Sequence, residues 1–275
     1  RYAYKITEGY HTNQAGTIEV AFLDTNNRFL NGETGTLTTN VEDPEAGRTK
    51  WLVHPAFTSN AEYGGGFGEI EGLWVGKFET TGEYTEGNAS KISVKPGVKI
   101  LRNKIVNEQY KAGKNATYGE SSNLNSHMMK NSEWGATVYL AHSKYGTNKQ
   151  KVEKNTNSSY YTGGTNIIEE IYTINKTQST TYNATGVYDL NGGASERVAS
   201  YINNKSENLG TYGGTNTGDL YGATEEEQST STKYKTVYIT SYDQGIDYQT
   251  SNMKNKGDAV YETSVYWKGN RFMVR

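Results

Sequence analysis

The chain has 275 residues, enough for one large domain or a small domain joined to a larger one. Its 28 basic and 30 acidic residues leave a net charge of −2, so no global basic field exists for nucleic acid. The absence of cysteine excludes a disulfide framework, a zinc–thiolate site and a thiol nucleophile.

With 23 Tyr and 31 Gly against 3 Pro, the composition is that of a turn-rich β protein with many tyrosines half in water. Secreted bacterial surface proteins and phage virion proteins share this texture. No apolar run approaches the ~20 residues of a membrane span, so no membrane insertion is expected in this segment. The chain begins at Arg1 rather than Met, which leads us to expect a leader or a larger N-terminal part upstream.

In chain order, GTIEVAFLD (16–24) alternates with period two and predicts a strand. Ile18, Val20 and Phe22 share one face, and Thr17, Glu19 and Ala21 share the other. The polar stretch 40–50, with Pro44 and Gly47, reads as a linker or long loop. It marks off a small N-terminal β region over 1–50 from a main domain over 51–275. GLWVGKFETTG (72–82) predicts a strand with Leu73 and Val75 on one face and Trp74 and Phe78 on the other. Residues 98–113 read as a strand followed by a short helix.

The clearest helix spans 127–146, apolar on two sides and therefore sandwiched inside the domain, with Gly146 as its stop. Residues 147–185 and 203–233 are long polar segments, and their length points to function or mobility. Glu225, Glu226 and Glu227 within the second read as a solvated charge run. YKTVYITSYD (234–243) alternates again, with Val237 and Ile239 on one face and Tyr234, Tyr238 and Tyr242 on the other. Short strands, long loops and one or two helices argue for an α+β fold with a mostly antiparallel sheet.

GVYDLNGGASERV (186–198) concentrates chemistry-bearing residues, but no phosphate-cradle spacing and no serine-nucleophile elbow accompany it. It predicts a tight corner. Gly192 and Gly193 supply positive φ, Asp189 caps backbone N–H groups, and Glu196 pairs with an arginine such as Arg275. His11, His54, His127 and His142 are scattered without metal-ligand spacing. His54 reads as a strand-edge residue, and His127 and His142 as helix-end residues.

Four stretches, in chain order, resemble the formylglycine-generating-enzyme-like (sulfatase-modifying-factor) branch of the C-type lectin fold. GLWVGKFETTG is similar to that family's opening strand, and 128–146 to its second helix, with Glu133-Trp134 as the Glu-Trp pair. GVYDLNGGASERV resembles its G-L-Y-D-M-x-G-N-V-W-E-W signature, and RFMVR (271–275) the approach to its R-G-G-S-W strand. HPAF (54–57), HMMKNSEWGA (127–136) and GDAVYETS (257–264) are similar to clostridial-type surface and prophage proteins with Y-D-M-S-G-G-A-x-E.

The resemblance covers roughly residues 70–275 and implies a C-type-lectin-like domain of antiparallel strands, one or two helices and long loops. Two departures stand out. Ser195 and Arg197 occupy the places of the signature's tryptophans, and the chain stops at Arg275 where the family continues through Gly-Gly-Ser-Trp and two strands.

The resemblance implies non-catalytic recognition or adhesion by an extracellular module of a bacterial surface or a phage particle. The partner would be a glycan or protein receptor on a cell surface. Tyr261, Tyr266, Trp267 and Asn270 are the ligand-contact candidates, because Tyr and Trp supply rigid contact area and Asn adaptable hydrogen bonds. Glu133, Trp134, Asp189, Gly192, Gly193, Glu196 and Arg275 are scaffold candidates. The alternatives are a structural subunit of a virion or surface fibre and an oxidase of the formylglycine-generating type. The oxidase needs thiols that bind copper, which this chain lacks. No cofactor is expected. Calcium stays open through the loop carboxylates Asp219, Asp243 and Asp258, and so does a homo-oligomer.

Overall fold

The fold is known from a computed structural model that describes residues 1–7, 17–85, 91–116, 124–147, 152–156, 158–163, 171–238, 257, 266–268 and 272–274. It is mixed α+β, with several small sheets and few helices. The first sheet is built from β1 (Tyr2–Thr7), β2 (Thr17–Phe22), β3 (Leu37–Thr38) and β4 (Trp51–Val53), in the order β2-β1-β4-β3. β1 and β2 pair antiparallel from Tyr2↔Phe22 to Thr7↔Thr17, and β4 pairs antiparallel with β1. The sheet thus runs across residue 50, where composition alone had drawn a boundary.

Strict alternation buries both faces of this sheet. Tyr2, Tyr4, Ile6 and Ile18 enter one core with Val20 and Phe22 packed against it, while Ala3, Ala21, Leu23, Trp51 and Val53 form a second core on the reverse face. The face that holds Thr17, Glu19 and Ala21 is therefore covered in part, because Trp51 and Phe29 pack with Ala21 and Leu23.

β5 (Thr81–Glu83) and β6 (Lys91–Ser93) form a separate antiparallel pair. The predicted strand over 72–82 is thus largely absent. Before Thr81 the backbone bonds to loops instead of a neighbouring strand: Lys77 O accepts from Tyr188 N, and Glu79 N donates to Thr162 Oγ1. Trp74 and Phe78 also part company, since the indole is fully exposed and Phe78 is buried.

The third sheet follows the order β8-β7-β10-β9, from β7 (Arg197–Ile202), β8 (Thr236–Tyr238), β9 (Tyr266–Lys268) and β10 (Phe272–Val274). Most strand pairs are antiparallel, as expected, while β7 and β8 are parallel, as are β3 and β4. A parallel pair needs a crossover, and the polar segment 203–233 is that crossover. It carries α3 (Glu207–Gly213) and α4 (Glu225–Ser229), following α1 (Val106–Lys114) and α2 (Asn131–Tyr139) earlier in the chain.

Both crossover helices are short and depend on their caps. Ser206 caps α3 by accepting from Asn208 N. Thr224 and Glu227 exchange reciprocal bonds at the start of α4, so Glu227 is a capping residue rather than part of a solvated run. Leu209 and Leu220 are buried beside Ala199, Tyr201, Val237 and Phe272. In β8, Val237 and Tyr238 face opposite cores, as alternation requires. Tyr234 packs on the Val237 side, because the strand begins only at Thr236, after a turn closed by Thr232 and Lys235. Ile239, Tyr242 and Asp243 lie outside the described residues.

α2 is buried almost all round, between the first sheet and β7. It starts later than the pattern predicted, because the Glu133 carboxylate accepts from Lys130 N and fixes the first turn there. A short 3₁₀ turn, Leu140–His142, completes it. The buried polar groups of α2 are satisfied across the core: Asn131 Nδ2 donates to Tyr238 Oη and Ser132 Oγ to Gly64 O.

Tyrosine dominates this core. Tyr2, Tyr4, Tyr139, Tyr188, Tyr201 and Tyr238 are all among the largest fully buried side chains, against the expectation of tyrosines half in water. Burial is tolerable because hydroxyls find distant carbonyls: Tyr2 Oη donates to Ala136 O at 2.7 Å and Tyr201 Oη to Gln228 O at 2.9 Å. His54 is also wholly buried, not at a strand edge. Its Nδ1 accepts from Ala56 N at 3.2 Å and its Nε2 faces Gly257 O at 2.7 Å, an arrangement for the neutral ring with the proton on Nε2. Burial lowers its pKa to about 3.

Candidate functional site

The corner 186–198 draws together the stretches that carried the family resemblance. Asp189 adopts φ 66° and is buried. Its carboxylate accepts from Asn155 Nδ2 at 2.9 Å, Thr162 Oγ1 at 3.0 Å and Gly163 N at 2.6 Å. Burial raises its pKa, and these three bonds offset only part of the rise. Gly192 and Gly193 take φ 93° and 69°. Only glycine fits at 192, since a Cβ there would lie 2.3 Å from the Asn155 carbonyl oxygen.

Glu196 accepts from Trp134 Nε1 at 2.7 Å, which joins the corner to α2. The expected arginine partner, Arg275, lies outside the described residues. Glu79, from the 72–82 stretch, completes a group of three carboxyls with Asp189 and Glu196. Its Oε1 accepts from Ala194 N at 3.3 Å, and its buried Oε2 has no partner among the described residues. Burial, then the charges of Glu196 and Asp189, push the Glu79 carboxyl up to about 9, so it holds its proton at neutral pH.

This corner is a polar joint between the 72–82 stretch, α2 and the 186–198 loop. The Asp189 carboxylate is spent on Asn155, Thr162 and Gly163, and the neutral Glu79 carboxyl accepts from Ala194 N through one of its oxygens. Among the described residues, no three His, Asp or Glu side chains are disposed to hold a metal ion. Asp219, a calcium candidate, pairs with Lys111 Nζ at 2.8 Å and accepts from Asn216 N at 3.0 Å. Asp243 and Asp258 lie outside the described residues.

Glu133 belongs to a second buried cluster. Both of its oxygens stand 3.1 Å from His127 Nε2, and Lys130 Nζ stands 3.6 Å away. His127 Nδ1 faces the Asn125 carbonyl at 3.1 Å, so both ring nitrogens meet acceptors, which favours the imidazolium. Burial alone would lower the His127 pKa, but the Glu133 carboxylate outweighs it and raises it. Burial pushes Glu133 up, and the His127 hydrogen bond with the Lys130 charge more than reverses that. His127 is therefore a member of a charge cluster rather than a solvated helix-end residue.

Tyr266 and Trp267 sit on β9 opposite Val274 and Met273, while Tyr261 and Asn270 lie outside the described residues. Other large apolar side chains stand exposed. Trp74 stands wholly in water, and Tyr145, Ile174 and Leu124 are exposed on other loops. A polar cleft of about 420 Å³ opens between the turn at Thr25–Asn27 and the segment 69–71, with Arg1 along it. The signal for Trp74 was present in its flanking Gly72 and Gly76, which break a strand. No family model, no curated protein and no solved structure matches the chain.

Proposed function

We propose that this chain is a non-catalytic recognition module, displayed outside the cell on a bacterial surface or a phage particle, that binds a glycan or protein receptor. The observation that carries the proposal is Trp74, a fully exposed indole on a loop braced by a buried core. Covering ~200 Å² of such a ring at ~25 cal/mol/Å² offers about 5 kcal/mol before entropy losses, which is why Trp anchors contact surfaces. The hydrogen bonds of Asp189 to Asn155, Thr162 and Gly163, and of Glu196 to Trp134, support a scaffold role for Asp189, Glu196 and Trp134.

The C-type-lectin-like assignment is part of the same proposal. It is supported by the way three of the resembling stretches meet: Glu79 on Ala194, Tyr188 on Lys77, and Glu196 on Trp134. Glycan-array and cell-binding measurements on the full chain test the reading. Binding that falls in Trp74→Ala upholds it, and a chain that binds neither cells nor glycans ends it.

A structural subunit of a virion or surface fibre is the second reading. It is favoured by β2 standing at the edge of a four-stranded sheet, where a second copy would add a strand. Sedimentation distinguishes the two, since a fibre subunit assembles without receptor.

A further inference from the structure

We infer that the surface around Tyr234, from the end of α1 to Lys233, is a binding site for an acidic saccharide, one that carries carboxylate or sulfate groups along a hydroxylated chain. This rests on the recognition reading above and gives it a ligand class. Lys114 ends α1 and is exposed, while Lys233 and the Tyr234 ring are half-buried. The Lys114 and Lys233 Nζ atoms stand 5.1 Å and 4.8 Å from the centre of that ring. The ring is held in place: Tyr234 Oη donates to Asn125 Oδ1 at 2.8 Å, and Phe67 meets the ring edge to face at 6.4 Å. A ring face attracts an ammonium without cancelling its charge, so both lysines are positioned and still positive.

Charge sets the sign of the ligand. His127, Lys130 and Lys233 surround Phe67, Lys111 and Lys114 lie in the last turn of α1, and Lys235 is buried behind them. Against these six cations stand three carboxylates. Glu133 is held between His127 and Lys130, Asp219 pairs with Lys111, and Glu227 caps α4 near Lys235. The local excess is thus three positive charges, in a chain whose net charge is −2. Lys235 Nζ is spent on the carbonyls of Leu220, Tyr221 and Glu227. Among the described residues, neither Lys114 nor Lys233 has a carboxylate within ion-pair distance. These two are the cations a ligand can reach, and an anion between chain and solvent relieves their repulsion.

On its other side Lys114 lines a cleft of about 240 Å³ with Lys111, Asn115, Asn216, Thr217 and Asp219. The Lys111–Asp219 pair at 2.8 Å leaves that wall neutral, and two exposed amides and a hydroxyl offer donors and acceptors to sugar hydroxyls. The cleft is smaller than an ordinary small-ligand site, which suits one residue of a longer chain whose acid groups lie along the lysines. Nucleic acid carries a similar charge but stacks its bases on bare rings. Here Lys114 and Lys233 stand over Tyr234, and His127 and Lys130 stand at Phe67.

The test is calorimetric binding of the full chain to a uronic-acid, a sulfated and a neutral oligosaccharide, with single-stranded DNA and whole cells alongside, at low and at physiological salt. Lys114→Gln with Lys233→Gln removes the two ring-held charges. Lys95→Gln with Lys176→Gln removes two exposed lysines elsewhere and matches the net charge. We expect an acidic oligosaccharide to bind wild type, more weakly as salt rises. It should lose about tenfold affinity in the first pair, as two exposed ion pairs allow, and less than about twofold in the second. Lys114→Arg with Lys233→Arg should keep most of the binding, which separates lost charge from lost folding. Equal losses in both glutamine pairs, DNA bound as tightly as the sugar, or binding of the neutral sugar alone overturns this site and leaves the recognition reading standing. Cell binding without any sugar binding does the same. Failure to bind sugars and cells together removes both.

Discussion

Replacing Glu79 with glutamine is expected to stabilise the protein at neutral pH, although it alters a buried polar residue. The Glu79 carboxyl is held at about 9 by burial and by the Glu196 and Asp189 charges, against an ordinary value of 4.5. A carboxyl with a raised folded-state pKa contributes its full stability below the unfolded value and loses it as pH rises through the folded one. At pH 7 the unfolded chain ionises Glu79 and the folded chain does not. The difference of 2.5 pH units from 4.5 to 7 corresponds to about 3 kcal/mol at ~1.36 kcal/mol per unit. Partial solvent access to the corner discounts this toward ~1 kcal/mol.

Glutamine keeps the neutral shape, and its carbonyl still accepts from Ala194 N. Urea denaturation at pH 4.5 and pH 7.0, extrapolated to water, should show nearly equal stability at the lower pH and a gain of ~1–3 kcal/mol for Glu79→Gln at the higher one. A variant that is less stable at pH 7.0, or that gains equally at both values, would refute the protonated-corner argument.

Three further outcomes follow from the same structure. Gly192→Ala should cost at least ~2 kcal/mol in chemical denaturation, since its Cβ would meet the Asn155 carbonyl at a positive φ. In an NMR titration, His54 should stay neutral down to about pH 4 while His127 stays charged above its ordinary value of 6.5, and a common midpoint near 6.5 would contradict both sites. His54, with its folded pKa lowered to about 3, adds stability that is complete above 6.5 and is lost as pH falls toward 3. Finally, Lys235 Nζ donates to the carbonyls of Leu220, Tyr221 and Glu227, so Lys235→Met should speed amide exchange across 220–229 at least tenfold while sparing β1 and β2.

Local rules reached the elements whose causes are local. The alternation of Ile18, Val20 and Phe22 made β2 legible, the two-sided apolar pattern placed α2 inside the domain, and the glycine pair at 192–193 announced left-handed backbone. These depend on a side-chain period or a missing Cβ, which a sequence states directly. The carboxylates of the corner were legible as residues, but not their charge states. Glu79 keeps its proton because folding buries most of its carboxyl and brings Glu196 and Asp189, more than a hundred residues away in sequence, near it.

Tertiary structure also chose between environments that composition left equal. A tyrosine has an apolar ring and a polar tip, so its pattern fits surface and core alike; Tyr2 went inside because the Ala136 carbonyl, 134 residues away, receives its hydroxyl. Trp74 went outside because the backbone on either side bonds to loops and forms no strand that would turn it inward. The polar 203–233 segment became a crossover because β7 and β8 run parallel, which no property of the segment itself states. Period and backbone freedom are written along the chain, whereas desolvation and hydrogen-bond partnership exist only between parts of it that folding brings together.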